Sequence, residues 1–234
     1  SLKPDWAFNL HDQRTIFTAG MSNKSASLSF LAPSAEVSRA VNPIRAMVMQ
    51  LIAGIHHKIE PLAAGHFGRY TDEFYPRALG DNLMKDGIPT ILFEMGHYPN
   101  DPYRRMARKL TCIGLIEAFM LISNGNWRDY KIDQYLSIPE NGRNQRDLIF
   151  RGLHFQGRQL DISLMRKEIP DFKTGNLQVQ YIIDDIGDLS HLNGIQEYQG
   201  TLTEFRDPSI SELANLKVEG KMNFIFKDGV LREY

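Results

Sequence analysis

Two residues carry side chains suited to hydrolytic chemistry at places where a fold would hold them rigidly. His11 lies in the run Phe8-Asn9-Leu10-His11-Asp12-Gln13, just past a short alternating apolar segment, Trp6–Leu10, that reads as a strand. A histidine there points out of a sheet edge, the usual place for a ligand site in an α/β protein, and suits a metal ion. Asp12 or Gln13 is placed to orient the ring. Glu94 ends the apolar run Pro89–Phe93 and is followed by Met95-Gly96. A carboxylate closing a buried strand is costly to desolvate, so it has a partner or a task. In a metal site it would activate the bound water and return the proton to the leaving amine. Taken alone, each residue also has a plain structural reading: a histidine beside a strand, a glutamate at a solvated strand end.

Other chemistry-bearing residues are less specific. His57-Lys58-Ile59-Glu60 has the H-x-x-E spacing of zinc ligands, but it falls on a predicted helix and follows His11, so both side chains are expected on the surface. His66, His97, His154 and His191 are isolated and lack ligand spacing. Tyr70, Asp72, Tyr75, Gly80 and Asp81 lie in a turn-rich segment ahead of Glu94, which is either a loop over a site or a surface connection. Arg104, Arg105, Arg108 and Lys109 crowd the start of a predicted helix, where the dipole prefers acids. They form a solvated face, pair with acids elsewhere, or face an anionic ligand. Asp184-Asp185-Ile186-Gly187-Asp188 is acidic but lacks calcium-loop spacing and reads as a solvated turn.

The elements that must position these groups fall into two parts. Before Asn124-Gly125-Asn126 the chain alternates strand-like and helix-like segments. Leu28–Leu31 reads as a strand. Asn42-Pro43 caps a helix whose apolar residues run from Ile44 to Ile59 and which stops before Pro61. Asp101-Pro102 starts another, with Met106, Leu110, Ile113, Ile116, Phe119 and Met120 as its apolar face. After that point come strand candidates at Asp147–Phe155, Leu160–Arg166, Gln178–Ile183, Ile195–Phe205 and Lys217–Lys227, with turns at Gly157, Gly175-Asn176, Asn193-Gly194 and Asp228-Gly229. The expected fold is therefore an α/β unit over 1–125 and a small all-β, antiparallel sandwich-like or barrel-like domain over 126–234.

Composition narrows the partners. A formal charge of -1 gives no pull toward nucleic acid or an anionic membrane. The longest apolar stretch, Leu110–Ile122, is interrupted by Glu117 and too short to span a bilayer. Cys112 is the single cysteine, which excludes an intrachain disulfide and a multi-cysteine metal site.

The order of these features resembles the second half of the M14 zinc carboxypeptidases, especially their bacterial branch. The resemblance covers roughly the first 125 residues and is most specific at Asn9-Leu10-His11-Asp12-Gln13. It implies part of a mixed sheet with flanking helices, zinc as cofactor, His11 as the last zinc ligand and Glu94 as general base and acid. Tyr75 is implied as the tyrosine that closes over substrate, with Tyr70 as the other candidate, and Leu79 to Asp81 would lie near the specificity pocket. The family's H-x-x-E ligands and carboxylate-binding arginines lie upstream of the residues matched here, so the chain by itself is expected to be inactive. Its sheet edge is then expected to be exposed and able to pair with a second copy. Substrates would be peptides or, in a deacylase variant, N-acyl amino acids. A third expectation is a binding module whose ancestral site is a relic.

Overall fold

The computed structural model describes residues 4–155, 158–199, 221–222, 224–227 and 230–233. It is mixed α/β, with several sheets and four α-helices among the described residues. Two compact units meet at the Arg143/Asn144 bond.

In the first unit, β1 (Ala7–Asp12), β2 (Thr18–Ala19), β3 (Leu28–Leu31), β4 (Phe67–Arg69) and β5 (Thr90–Met95) supply the strands. Four of them form one sheet in the order β1-β5-β3-β4. β1 runs parallel to β5, β5 antiparallel to β3, and β3 parallel to β4. The period of two along each strand divides the sheet into two faces. Phe8, Phe30 and Phe93 point to one face and pack ring against ring. There α1 (Pro43–Ile59) covers them with Val48, Leu51, Ile52 and Ile55, each essentially fully buried. Burial of side chains this size is worth about 1.5–3 kcal/mol apiece. Asn42 caps α1 by accepting from Arg45 N at 2.8 Å, with Pro43 in the first turn, as the sequence predicts. The other face carries Asn9, His11, Ser29, Thr90 and Glu94, and α2 (Leu79–Lys85) packs over part of it, with Gly80 close to Asn9 and Thr90.

α3 (Arg105–Asn124) begins later than expected. Arg104 turns left-handed, at φ 52°, and the Asp101 carboxylate accepts from the backbone N–H groups of Arg105, Met106 and Ala107. The acid that the helix dipole requires thus comes from just outside the helix. The buried stripe of α3 is Ala107, Leu110, Gly114, Ala118 and Leu121. The predicted apolar face holds only partly: Ile116, Phe119 and Met120 are exposed, because small residues let α3 approach α1 and β5 closely.

The first unit also extends past its expected end at Gly125. Trp127, Tyr135 and Ile138 are buried in the same core, and α4 (Ile132–Leu136) and the short strand β6 (Asn141–Gly142), which pairs with β2, belong to it. The second unit, from Asn144, contains β7 (Gln145–Phe155), β8 (Arg158–Asp171), β9 (Asn176–Gly187), β10 (Asn193–Gln199) and β11 (Lys221–Met222) in one sheet, order β10-β7-β8-β9-β11. β12 (Phe224–Lys227) and β13 (Val230–Glu233) pair antiparallel with each other. β10 lies parallel to β7, a departure from the all-antiparallel expectation. The turns expected at Gly157 and Asp228-Gly229, and the expected strand residues between 200 and 220, lie outside the described residues. No described helix is long and apolar enough to cross a membrane.

Candidate functional site

The parallel register of β1 and β5 sets His11 directly beside Glu94. Parallel partners share a face and sit about 4.8 Å apart, so two residues separated by most of the unit's sequence become neighbours. Ser29 is the partner of Glu94 on the other side, and Gly68 is the partner of Ser29. The row His11–Glu94–Ser29–Gly68 crosses the whole sheet.

Glu94 is 7% exposed. Burial, with a smaller push from the negative charge of Asp12, raises its carboxyl from the ordinary range to about 7. No side chain or backbone N–H among the described residues donates a hydrogen bond to it. The nearest polar neighbour, Ser29, has its hydroxyl committed elsewhere. Ser29 Oγ donates to Asn141 Oδ1 (2.9 Å) and accepts from Gln13 Nε2 (3.1 Å), while Asn141 Nδ2 donates to Gln13 Oε1 (3.1 Å). Gln13 Nε2 also reaches Ala26 O at 2.6 Å. This ring closes only because Gly68 and Gly96 lack side chains. A Cβ on Gly68 would stand 2.0 Å from Asn141 Oδ1, and one on Gly96 1.9 Å from Ala26 O.

His11 is exposed at the sheet edge, and its Nε2 lies 3.0 Å from Asn9 Oδ1. The orienting group is therefore Asn9, two residues back on the same face, and neither Asp12 nor Gln13. That contact leaves Nδ1 as the ring nitrogen not engaged by Asn9, and a neutral ring donating from Nε2 would offer it to a metal ion. Asp12 instead pairs with Arg104 (2.5 Å). One of the arginines at the start of α3 thus has an acid partner from β1.

Loop 70–81 is pinned at both ends. Asp72 is gripped by Arg45 (2.7 Å), itself 1% exposed, and by Arg39 (3.1 Å). Burial pushes the Asp72 carboxyl up, but the two guanidinium groups outweigh it and hold it below the usual range. At the far end Asp81 accepts from Tyr75 N at 2.6 Å, and burial raises its carboxyl. Between these pins Tyr75 stands 59% exposed. Tyr70 is half-buried, its ring packed edge-on against Phe17 at 5.4 Å, and its hydroxyl is raised by burial first and then by the charge of Glu94.

Glu60 and His66 serve the fold. His57 is exposed and Glu60 accepts from Gly65 N at 2.9 Å, closing the turn after α1. His66 is buried with Nδ1 at 2.9 Å from Ser25 O, and burial lowers its pKa. Among the described residues no three His, Cys, Asp or Glu side chains gather where they could hold a metal ion. A zinc centre needs about three protein ligands and an open position. His11 has the right chemistry for one of them, but the described residues do not complete the set. Sequence reasoning singled out Glu94 and His11 but missed the Gln13–Ser29–Asn141 ring, whose only signals were Gln13 after His11, Gly68 within β4 and Gly96 just past β5. Comparison of the chain with protein-family models, with curated proteins and with solved structures finds no match.

Proposed function

We propose that this chain carries the proton-transfer half of an M14-type zinc carboxypeptidase site. The observation that carries the reading is the pairing of Glu94 with His11: a buried carboxyl at about 7 with no hydrogen-bond donor among the described residues, one strand away from an exposed histidine whose Nε2 is held by Asn9. A carboxyl in that range is divided between its two forms near neutral pH. It can take a proton from water attacking a peptide carbonyl and hand it to the departing amine. His11 would be one ligand of a zinc completed by groups outside the described residues, and zinc there would supply Lewis-acid polarisation of the carbonyl. Tyr75, held at its backbone by Asp81 and exposed in its side chain, would close over the bound substrate. Leu79 and Gly80 open α2 beside Asn9 and Thr90, on the face that also carries Glu94, which suits a wall of the substrate pocket.

β1 is the free edge of its sheet among the described residues, and Leu10 on it is 55% exposed. Its unpaired N–H and C=O groups would take a further strand, and in the isolated chain that strand is the β1 of a second copy.

The test is turnover by the natural protein that carries this sequence, assayed on blocked dipeptides and on N-acyl amino acids. Cleavage of the dipeptides supports the carboxypeptidase reading, and preference for the acyl compounds would move it to a deacylase. Biological activity that survives Glu94→Gln unchanged would make the site a relic.

A further inference from the structure

On the helix-covered face of the sheet, the free edge of β1 lies beside one flank of α3. Ala7 N donates to Pro89 O (2.9 Å) and Gln13 N to Met95 O (2.8 Å), so the odd-numbered residues of β1 spend their backbone groups on β5. The N–H and C=O groups of Phe8, Leu10 and Asp12 therefore point to the open edge, where no described strand meets them. The side chains of the same three residues lie on the helix side. There Arg104, Arg108, Leu115 and Phe119 recur along one flank of α3, and both ends of that line touch β1. Arg104 bonds Asp12, and Phe119 packs edge-on against Phe8 at 5.2 Å. The surface is graded. At the Phe8 end it is apolar, with Leu10 and Phe119 each about half exposed. At the Asp12 end it is cationic. Arg105 lies over the Tyr103 ring (5.6 Å), Arg108 donates to Tyr103 O (2.7 Å), and Lys109 is exposed beside them. None of these three cations pairs with a carboxylate among the described residues, because Asp12 is taken by Arg104 and Asp101 by the first N–H groups of α3.

We propose that the β1 edge, with the Arg104–Phe119 flank of α3 beside it, docks an extended segment of a partner polypeptide that is apolar where it passes Phe8 and acidic where it passes Asp12. The added strand satisfies the outward backbone groups of Phe8, Leu10 and Asp12, and its side chains on the helix side meet Leu10 and Phe119 at one end and Arg108 with its neighbours at the other. Charge decides the occupant. A second copy that pairs through β1 fills the edge but brings no acid to these cations, since the one acid of β1 is already bonded to Arg104. A lipid surface suits the cations and the exposed apolar groups but leaves the backbone groups of β1 without partners. A strand carrying acids satisfies all three. This surface does not depend on whether Glu94 hydrolyses anything.

The probes are short N-acetylated peptide amides in which threonine alternates with glutamate in one half and with valine in the other. They are made in both chain orders, with counterparts that carry lysine in place of glutamate. At a concentration where the chain sediments as a monomer, amide exchange is followed by NMR at Phe8 and Leu10, with Asn9 and His11, whose N–H groups face β5, as internal controls. The acidic peptide of one order should slow exchange at Phe8 and Leu10 alone, and at higher protein concentration it should dissolve a dimer formed through β1. Arg105→Glu with Arg108→Glu, a change that the start of a helix accepts, should weaken the acidic peptide about tenfold and favour the lysine one. Leu10→Pro removes an outward N–H at a position that an edge strand tolerates. It should abolish the protection at Phe8 while Asn9 and His11 stay protected, which shows the sheet intact. No binding of either acidic peptide, equal protection by the lysine peptides, or affinity unchanged in either variant would overturn the proposal. So would a β1 dimer that persists in excess peptide, which makes a second copy the occupant, or binding to phosphatidylserine vesicles with no response to the peptides, which makes it lipid. Glu94→Gln should leave peptide binding intact, so the failure of the hydrolytic reading and the failure of this one are told apart.

Discussion

The charge cluster at Arg151 and the carboxyl of Glu94, one in each unit, are held in opposite ways. In the β-rich unit several inward-turned charges are matched among the described residues. Arg151 pairs with Asp161 (3.0 Å) and Glu197 (2.9 Å) and donates to the carbonyls of Leu189 and Leu192. Arg146 meets Asp184 (2.5 Å), and Asp147 accepts from Arg166 N (2.6 Å). Glu197 and its partner stabilise each other's charged forms, so the acid sits below its usual range and the guanidinium above. In the α/β unit Glu94 is buried with no donor among the described residues and is pushed toward neutrality. Matched charge rigidifies a fold, whereas an unmatched buried carboxyl costs stability.

The contrast breaks most directly at Glu94. In the natural protein Glu94→Gln should lower turnover by about 10²–10⁴-fold, the usual contribution of a general acid–base group, with KM little changed. Full turnover in this variant would leave the carboxylate a structural accident. The counterpart in the other unit is Arg151→Met, which strands Asp161 and Glu197 and removes the tie to the 189–192 turn. Urea unfolding should report a loss of about 3 kcal/mol. A neutral result would mean that the matched charges contribute as little as exposed pairs do.

A pH series sharpens the same comparison in the metal-free chain. The folded state holds the Glu94 proton up to about pH 7, while the unfolded chain has released it near 4.5. The contribution is complete below the lower value and is lost as pH rises through the window, by up to about 3 kcal/mol. Glu94→Gln should flatten that slope in urea titrations run across the window. An unchanged slope would assign the pH dependence elsewhere. Gly96→Ala comes next. Its Cβ would meet Ala26 O and Gln13 Nε2, so the strand end must move, at about 1–3 kcal/mol. Loss of the Gln13 side-chain amide signals is the accompanying readout.

Where the sequence was informative, the reason was local. Asn42-Pro43 and the spacing from Ile44 to Ile59 specify α1 without help from the rest of the chain, and an apolar run ending in an acid specifies β5 and its unusual terminus. What escaped depends on pairing over distance. Asn141 joins Gln13 and Ser29 across more than a hundred residues, and nothing in Asn141-Gly142 announces it. The core face of α3 was misread because Ala107, Gly114 and Ala118 are buried for their smallness, while larger Ile116 and Phe119 stay outside. The boundary was placed at Gly125 for a related reason. A glycine ends the helix there, but Trp127 and Tyr135 return to complete the core.

The smallest expected effect tests how Glu94 is tuned. Burial is the main cause of its raised pKa and the charge of Asp12 the lesser one. Asp12 is largely exposed and already paired with Arg104, so water and the guanidinium screen most of its field. Asp12→Asn should therefore lower the Glu94 pKa, with the uncompensated Arg104 acting in the same direction, by no more than about 1 kcal/mol of proton affinity. Carbon-13 titration of the Glu94 carboxyl in the metal-free chain measures this directly. A pKa that stays fixed would leave burial as the sole cause. One that falls all the way to the ordinary range would show that Asp12, on the edge strand, and not the closed sheet interior, keeps this acid poised.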